Sequence, residues 1–256
     1  MATLNLPTET RLSTRVSLRW LPEPASETTD TIVMSVKGWY VDLRVDKTTG
    51  DIDWAIAGQR VVDSNEPRRV QFTHEIDSRN SFDAVDCGTF STLPNGDDLE
   101  VGSMPRPDLP GTPMTEYEEV WRELKFREGP EGPRKGVSWV LESKHGVDLG
   151  ANAEMEVART FVAKIWGTYL VVRQRQVYAH LTGSNAAVVR EGKDVSARRE
   201  EWDPNDGWTA TYVLGPDGDA LPSAKDIDDG EQLRTPGGTA FINGEAYTVR
   251  SYEEIV

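Results

Sequence analysis

Short runs of alternating apolar and polar residues, separated by turn-forming residues, are the feature that most constrains this chain of 256 residues. In the run RVSLRWL, residues 15–21, the side chains of Val16, Leu18 and Trp20 share one face. Near the end, TAFINGEAYTVRSY sets Asn243-Gly244 between two alternating runs, which is typical of a type I′ hairpin. We count about 12 to 16 such runs, with turns about every 8–12 residues and no convincing long helix. The sequence therefore predicts an all-β fold of the sandwich or barrel type.

A polar break near the middle of the chain predicts two β domains. The segment REGPEGPRKG, residues 127–136, combines Gly-Pro turns with several charges, as linkers do. We predict a loose N-terminal tail at 1–13, an N-terminal domain at 14–130 and a C-terminal domain at 131–256. Residues 86–115 are rich in proline and glycine, and predict a long crossing loop with one strand at 99–102. Residues 151–163 are the one segment that could be helical.

The charge balance limits the partners that this chain can bind. Asp and Glu number 43 against 28 Lys and Arg, for a net charge of -15, which repels phosphate backbones and anionic membranes. We therefore predict no nucleic-acid binding and no membrane insertion. The longest apolar run, residues 165–172, is too short to span a bilayer. A single cysteine and the lack of a recognisable signal peptide predict a cytoplasmic protein.

Familiar cofactor and catalytic motifs are absent from the sequence. It contains no P-loop, no GxGxxG between a strand and a helix, no HExxH and no GxSxG. One cysteine excludes zinc fingers and CxxC redox sites. The loop DPNDG, residues 203–207, departs from a calcium loop because its glycine comes one position early. We therefore predict no cofactor and no metal.

The stretch from residue 38 to 58 predicts a hairpin whose first strand has two distinct faces. One face carries Val41, Leu43 and Val45, and the other carries Tyr40, Asp42 and Arg44. In one interpretation the first set is core and the second meets solvent. In the other, the polar set lines the lumen of a barrel, because small-molecule pockets place a few polar groups among aromatic side chains. The sequence leaves both interpretations open.

Five segments, in order along the chain, resemble the fungal Hri family, which is named for a yeast protein that interacts with a casein kinase. They are YVDLRVDKTTGDIDWAIAG, FDAVDCGTFSTLPNGDDLEVGSM, VWRELKF, VARTFVAKIWGTYLVVRQRQVYAHL and NGEAYTVRSY. The resemblance implies two lipocalin-like antiparallel β-barrel domains packed together in one cytosolic chain. It also implies contacts with a kinase and with a component of the translocation machinery, and it supplies no established catalytic residues.

Two functions follow as competing hypotheses. In the first, the chain is a cofactor-independent fungal enzyme that binds an apolar small molecule in a barrel pocket. It would steer a cyclisation or isomerisation in natural-product biosynthesis, as Diels–Alder-type enzymes of similar architecture do. Such reactions need shape, proximity and one or two hydrogen-bond donors. Here Arg122 or His74 would act catalytically by polarising a carbonyl, and the substrate would be held by Tyr40, Arg44, Trp54 and Trp121.

In the second hypothesis the chain is a non-enzymatic cytosolic adapter. Acidic loops such as residues 226–231, together with the proline-rich segment, would bind protein partners such as a casein kinase or translocation components. The two hypotheses predict different barrel interiors. A small-molecule site needs a pocket, typically of several hundred Å³, whereas the barrels of an adapter would be filled by their own side chains.

Overall fold

The structure is a computed structural model that describes residues 9–106, 108–148, 154–180, 188–228 and 230–256. Its N-terminal strands are β1 (Arg11–Trp20), β2 (Thr29–Val36), β3 (Trp39–Asp46), β4 (Ile52–Val62), β5 (Arg69–Phe72), β6 (Ile76–Asp77), β7 (Asp86–Thr92), β8 (Asp98–Pro105) and β9 (Met114–Glu123). Its C-terminal strands are β10 (Gly136–Asp148), β11 (Glu154–Ile165), β12 (Thr168–His180), β13 (Val188–Asp203), β14 (Gly207–Leu214), β15 (Thr239–Ile242) and β16 (Glu245–Ile255). Three short 3-10 helices precede β15, at Gly218–Ala220, Ala224–Asp226 and Glu231–Leu233.

The strands form two antiparallel sheets, which confirms the all-β prediction. In the first sheet the order β3-β2-β1-β9-β8-β7-β5-β4 closes on itself, because β3 also pairs with β4. The short strand β6 pairs with β4 as a side branch. A closed barrel of eight strands has an interior wide enough to be filled by side chains or to hold one small ligand. The second sheet has the order β14-β13-β12-β11-β10-β16-β15.

The largest apolar core lies between the two sheets. Side chains from the outer face of the barrel, including Met34 and Leu43, pack against Val140, Phe161 and Leu170 of the second sheet. The opposite face of the second sheet buries a separate apolar core, to which the segment with the 3-10 helices also contributes. The second sheet is therefore buried on both faces, and one face of the barrel wall is covered by it.

Polar contacts also join the two sheets, around the short strand β6. The side chain of Gln174 bonds the backbone of Asp77 twice, accepting from its N–H at 3.1 Å and donating to its carbonyl at 2.7 Å. Nearby, Gln176 donates to the Glu75 carbonyl at 3.0 Å. These bonds satisfy buried backbone groups that no strand neighbour reaches, and so fix this segment against β12.

Several local predictions hold and others are wrong. Asn243 and Gly244 have φ angles of 50° and 82°, as the predicted type I′ hairpin requires. The predicted crossing loop is wrong over much of its length, because β7 and β8 run through it as two barrel strands, although the one strand predicted there, 99–102, lies within β8. Its prolines sit in the turn between these strands, at the end of β8 or beyond it, so they interrupt no ladder. The possible helix is wrong from residue 154 onward, where β11 pairs on both sides, and residues 151–153 lie outside the described residues.

The N-terminal strand begins earlier than predicted. β1 starts at Arg11, inside the stretch expected to be a loose tail, because Leu12 is buried in the core between the sheets. The chain passes from the first sheet to the second between Glu123 and Gly136. The predicted domain bounds at 14–130 and 131–256 stay predictions. None of the described segments forms a helix with the length and apolar character needed to cross a membrane.

Candidate functional site

The polar face of the hairpin strand β3 points into the barrel. Tyr40, Asp42 and Arg44 line a cavity inside it. The alternate residues Val41, Leu43 and Val45 belong to the core between the sheets. Both faces of this strand are thus buried, a combination that differs from the half-exposed strand considered from the sequence. Alternation along a strand places side chains on two faces. The outer face of β3 belongs to a core only because the second sheet covers it.

The barrel encloses a cavity of about 90 Å³. A cavity needs about 10–15 Å³ of such space to hold a single water, so this one has room for several water-sized atoms. Its wall combines aromatic and apolar side chains with ionisable ones. The first group is Val33, Tyr40, Trp54, Ile56, Phe72, Phe90, Met104, Tyr117 and Trp121, and the ionisable group is Arg11, Asp42, Arg44, Arg60, Asp86, Asp98, Glu100, Glu119 and Glu123.

A buried arginine organises the inner part of the lumen. The Nε and Nη2 groups of Arg44 donate to Asp42 Oδ2 at 3.1 and 2.8 Å, and Nη1 donates to Glu119 Oε1 at 3.5 Å. The guanidinium carbon lies 4.7 Å from the ring centre of Trp54 and 5.6 Å from that of Trp121. Burial lowers the pKa of Arg44, but the two carboxylates outweigh it and raise that pKa above its ordinary value. The lumen thus contains a fixed positive charge held between two aromatic rings.

One oxygen of the Asp42 carboxylate lacks a partner. Within the described residues, its Oδ1 atom is buried and accepts no hydrogen bond. Burial raises the pKa of Asp42, and Arg44 counteracts this increase. A buried acceptor left without a donor is costly, and native proteins almost always satisfy it with protein, water or ligand.

A second carboxyl group, Glu100, is held between two donors. The Tyr117 hydroxyl donates to Oε1 at 3.0 Å and the Trp121 ring N–H donates to Oε2 at 2.9 Å. Burial and the neighbouring charges of Glu119 and Asp86 nevertheless raise the pKa of Glu100 to about 8. At neutral pH this group is therefore mostly a neutral acid, which carries one donatable proton inside the lumen.

Two paired glycines make room for this carboxyl group. Gly88 and Gly102 face each other across β7 and β8. A Cβ atom at Gly88 would lie 2.0 Å from Glu100 Oε1, and one at Gly102 would lie 2.7 Å from the Tyr117 hydroxyl oxygen. The absence of side chains at both positions is what lets the acid and the phenol fit within the wall.

The exposed fractions of the lining side chains show where the lumen opens. Asp42 and Glu119 side chains are 5% exposed, whereas those of Arg11, Asp98 and Glu123 are 25%, 22% and 53% exposed. Arg11 bridges this mouth by pairing with Asp98 at 2.8 Å and with Glu123 at 3.2 Å.

A second lining arginine has no such partners. Arg60 lies over the ring of Phe90, with its guanidinium carbon 5.9 Å from the ring centre. Its side chain makes no hydrogen bond and no ion pair with any described residue. Burial and the nearby charge of Arg11 lower the pKa of Arg60. The lumen therefore presents one unused cationic group as well as one unused carboxylate oxygen.

The structure brings together the four predicted substrate-binding residues but neither predicted catalytic residue. Tyr40, Arg44, Trp54 and Trp121 all line the cavity. Arg122 follows Trp121 on β9 and points outward by strand alternation, with its side chain 53% exposed and bonded to Asp97. This placement puts Arg122 outside the lumen, and its catalytic role stays a prediction.

His74 is also outside the lining, and both of its ring nitrogens are engaged. Nδ1 lies 2.8 Å from Asp77 Oδ2 and Nε2 lies 3.1 Å from Asp86 Oδ2. Burial opposes protonation, but the hydrogen bonds to these two carboxylates raise the pKa of His74 to about 9. The imidazolium thus contacts two carboxylates through both ring nitrogens, and its catalytic role stays a prediction.

Sequence reasoning missed three lining groups that the structure makes prominent: Arg60, Glu100 and Glu119. Glu100 lies in the short strand predicted at 99–102, whose few residues give no clear apolar face and so do not show which side chains point inward. Glu119 and Trp121 share one face of β9 in the alternation of that strand, and this was the available signal. Among the described residues, no group of three or more His, Cys, Asp or Glu side chains is placed to hold a metal ion.

Comparisons with known proteins agree with this architecture. The family model described as Protein HRI1 matches residues 11–246. The chain belongs to this family. A crystal structure of an uncharacterized protein from Saccharomyces cerevisiae is similar, with a TM-score of 0.61 and 16% sequence identity over 95% of this chain and 99% of that chain. At that identity the likeness concerns the fold. No curated protein matches the sequence.

Proposed function

We propose that this member of the HRI1 family binds a small polar molecule inside its N-terminal barrel. The observation that carries the proposal is the buried, unpartnered Oδ1 atom of Asp42 at a cavity wall. Leaving such an acceptor unsatisfied costs about 1–3 kcal/mol or more, and a bound donor removes that cost. Neighbouring donors in the wall, including the neutral acid Glu100, add further polar contacts for a ligand.

The lining favours a polar ligand over the apolar one expected from the sequence. An apolar molecule in this lumen would bury the charges of Asp42 and Glu119 without giving them new partners, which is unfavourable. The cavity of about 90 Å³ also suits a small molecule better than a polycyclic natural product. Aromatic rings beside the charges provide flat surfaces on which the body of such a ligand packs.

The cavity of about 90 Å³ is smaller than the several hundred Å³ expected of a small-molecule pocket, but it shows that this barrel is not wholly filled by its own side chains, as the adapter alternative required. Part of the expected acidic surface is also used within the chain, since Asp226 accepts from the Ser223 backbone N–H at 2.8 Å. Binding of a casein kinase or of translocation components therefore rests on the family resemblance alone.

A reaction in the lumen is a second candidate function, favoured by the raised pKa of one group. A buried acid with a pKa of about 8 is suited to proton transfer near neutral pH. A cyclisation or isomerisation of the kind expected from the sequence would draw its proton from Glu100, and not from Arg122 or His74. Its test is the small-molecule content of Glu100→Gln, in which an unconverted substrate should replace product.

Mass spectrometry of small molecules extracted from the purified full chain tests the binding proposal. We compare wild type with Asp42→Asn and with Asp51→Asn, a matched control at an exposed turn. Wild type and the control should carry the same molecule, and Asp42→Asn should carry at least tenfold less. Equal small-molecule content in all three proteins would overturn the proposal.

A further inference from the structure

Among the described residues, one oxygen of the Asp42 carboxylate and the Arg60 guanidinium are left without hydrogen-bond partners, and this defines the chemistry of a matching ligand. We infer that the barrel binds a small zwitterion, with an ammonium group at Asp42 and a carboxylate at Arg60. This inference rests on the proposed function and deepens it by naming the ligand class: an amino acid or a short amino-acid-like molecule.

The inner end of the site favours a hydrogen-bond donor on the ligand. Both Asp42–Arg44 hydrogen bonds use Oδ2, and Glu119 is already bonded to Arg15 at 2.6 Å. The remaining Asp42 oxygen therefore offers a negatively charged acceptor in a buried place, where a charged donor binds more strongly than a neutral one. An ammonium group supplies that charged donor.

The outer end of the site favours a hydrogen-bond acceptor on the ligand. Near the mouth, Arg11 forms ion pairs with both Asp98 and Glu123, so it compensates the charges of these two carboxylates without Arg60. Arg60 retains its full set of N–H donors for a planar anion, and carboxylates fit a guanidinium through two parallel bonds. Its lowered pKa has burial as its main cause, so an anion beside it is favourable.

Strand register gives the separation of the two ends. Asp42 pairs with Ile56 across β3 and β4, and Arg60 lies four residues further along β4. At a rise of about 3.3 Å per residue, this places about 13 Å between the two positions along the strand. An arginine side chain and an aspartate side chain both reach inward from these positions, which leaves a gap of several Å for the ligand.

The wall between the two ends is apolar and the space is small. Tyr40 and Phe72 lie there in an edge-to-face arrangement with ring centres 5.5 Å apart, next to Ile56. A short aliphatic or flat body packs against these side chains. The cavity volume of about 90 Å³ limits the ligand to a short chain with few non-hydrogen atoms.

Three probes with the same five-carbon chain separate the contributions of the two charges. They are 5-aminopentanoate, which carries both charges, pentylamine, which carries only the positive one, and pentanoate, which carries only the negative one. Isothermal titration calorimetry with the full chain should show 5-aminopentanoate binding at least tenfold more tightly than either probe with a single charge. Affinity for 5-aminopentanoate that is absent, or no greater than for pentylamine or pentanoate, would overturn the inference.

Two variants assign the charges to residues. Arg60→Gln should lower the affinity for 5-aminopentanoate at least tenfold while leaving that for pentylamine unchanged, and Asp42→Asn should abolish the binding of pentylamine. The exposed residue Arg68 supplies a matched control, Arg68→Gln, which should bind all three probes as wild type does. If Arg60→Gln binds 5-aminopentanoate as wild type does, the assignment to Arg60 is wrong, even if Asp42→Asn fails to fold.

The outcomes distinguish this inference from the proposed function. If 5-aminopentanoate fails to bind while wild type still carries an extracted molecule that Asp42→Asn has lost, the ligand is not a zwitterion of this kind and the binding function stands. If the extracted content is also equal in wild type and variant, both proposals fail.

Discussion

The two interiors of this protein differ in their share of charged residues. Nine of the twenty residues that line the barrel cavity are Asp, Glu or Arg. By contrast, the inner core of the second sheet is mainly apolar, with fourteen buried hydrophobic residues, among them Leu141 and Tyr169, beside the buried charged residues Lys164 and Glu200. Both interiors are made by antiparallel strands with the same alternation. The comparison shows that alternation places polar and apolar side chains on opposite faces of a strand, but does not determine which face points into the interior.

The reason for the difference lies in what covers each outer face. The barrel places its apolar residues, such as Leu43, on the outside, where the second sheet buries them. Hydrophobic stabilisation of the barrel therefore comes largely from the contact between the sheets, and its interior is free to carry polar groups. Such an interior depends on mutual pairing of its charges, whereas the second core depends on packing without voids.

The largest expected effect tests the dependence of the lumen on charge pairing. Arg44→Met should destabilise the protein by about 3–5 kcal/mol, because Asp42 and Glu119 lose the cation between them. Chemical denaturation followed by tryptophan fluorescence measures this. The matched control Arg68→Met, on the surface, should stay within about 0.5 kcal/mol of wild type. An equally small effect for Arg44→Met would mean that the lumen is solvated and not a buried charge network.

The corresponding test of the second core removes volume and leaves charge unchanged. Leu141 is fully buried, and Leu141→Ala should cost about 2–5 kcal/mol through lost burial and the cavity left behind. The same denaturation experiment applies. Val101→Ala, at a position 39% exposed, provides the control and should change stability by less than about 0.5 kcal/mol. A cost below about 1 kcal/mol for Leu141→Ala would contradict a tightly packed core.

A smaller effect is expected where the barrel wall makes room for an acid. Gly88→Ala should cost about 1–3 kcal/mol, since the new methyl group would overlap the carboxyl group of Glu100. Gly146→Ala is the control, because its nearest neighbour is the flexible side chain of Met155 at 3.3 Å. Thermal unfolding of both variants gives the comparison. Equal stability of the two would show that Glu100 is not held tightly in the wall.

A further expected effect is a dependence of stability on pH that comes from the lumen carboxyl group of Glu100. Glu100 has a pKa of about 8 in the folded chain against an ordinary 4.5, so the folded state binds the extra proton between these values. Stability should therefore fall as pH rises from about 4.5 to about 8, by up to about 1.4 kcal/mol per pH unit from this group. Glu100→Gln should lack this slope, and comparing the free energies of unfolding at pH 5.5 and 7.5 measures it.

His74 also makes stability fall as pH rises, but its contribution cancels when wild type and Glu100→Gln are compared. Its pKa of about 9 in the folded chain lies above the ordinary 6.5, so its stabilisation is full below pH 6.5 and is lost as pH rises through 9. Both wild type and Glu100→Gln retain it. Parallel pH profiles for the two proteins would contradict a neutral Glu100 in the lumen.

Individual strands and turns show which features could be predicted from the sequence. The closing hairpin was predictable because Asn243 and Gly244 adopt positive φ angles that few other residues tolerate. The strand β7 and the full length of β8 were not predictable, since proline and glycine in this segment indicated a long loop with only one strand at 99–102. Within the site, Tyr40, Arg44, Trp54 and Trp121 could be chosen from alternation and side-chain chemistry. Arg122 was chosen as a neighbour of Trp121, and strand alternation turns it to the opposite face.

The sequence by itself determined that the chain is an all-β protein, and it divided strand β3 into an apolar face and a polar face. Local alternation and turn chemistry are sufficient for both, because they depend only on neighbours along the chain. Only the tertiary structure decided that Tyr40, Asp42 and Arg44 line a cavity while Val41, Leu43 and Val45 meet the second sheet. The direction of a face depends on which distant surface covers it, and strands that close a barrel and pack on another sheet are far apart in sequence.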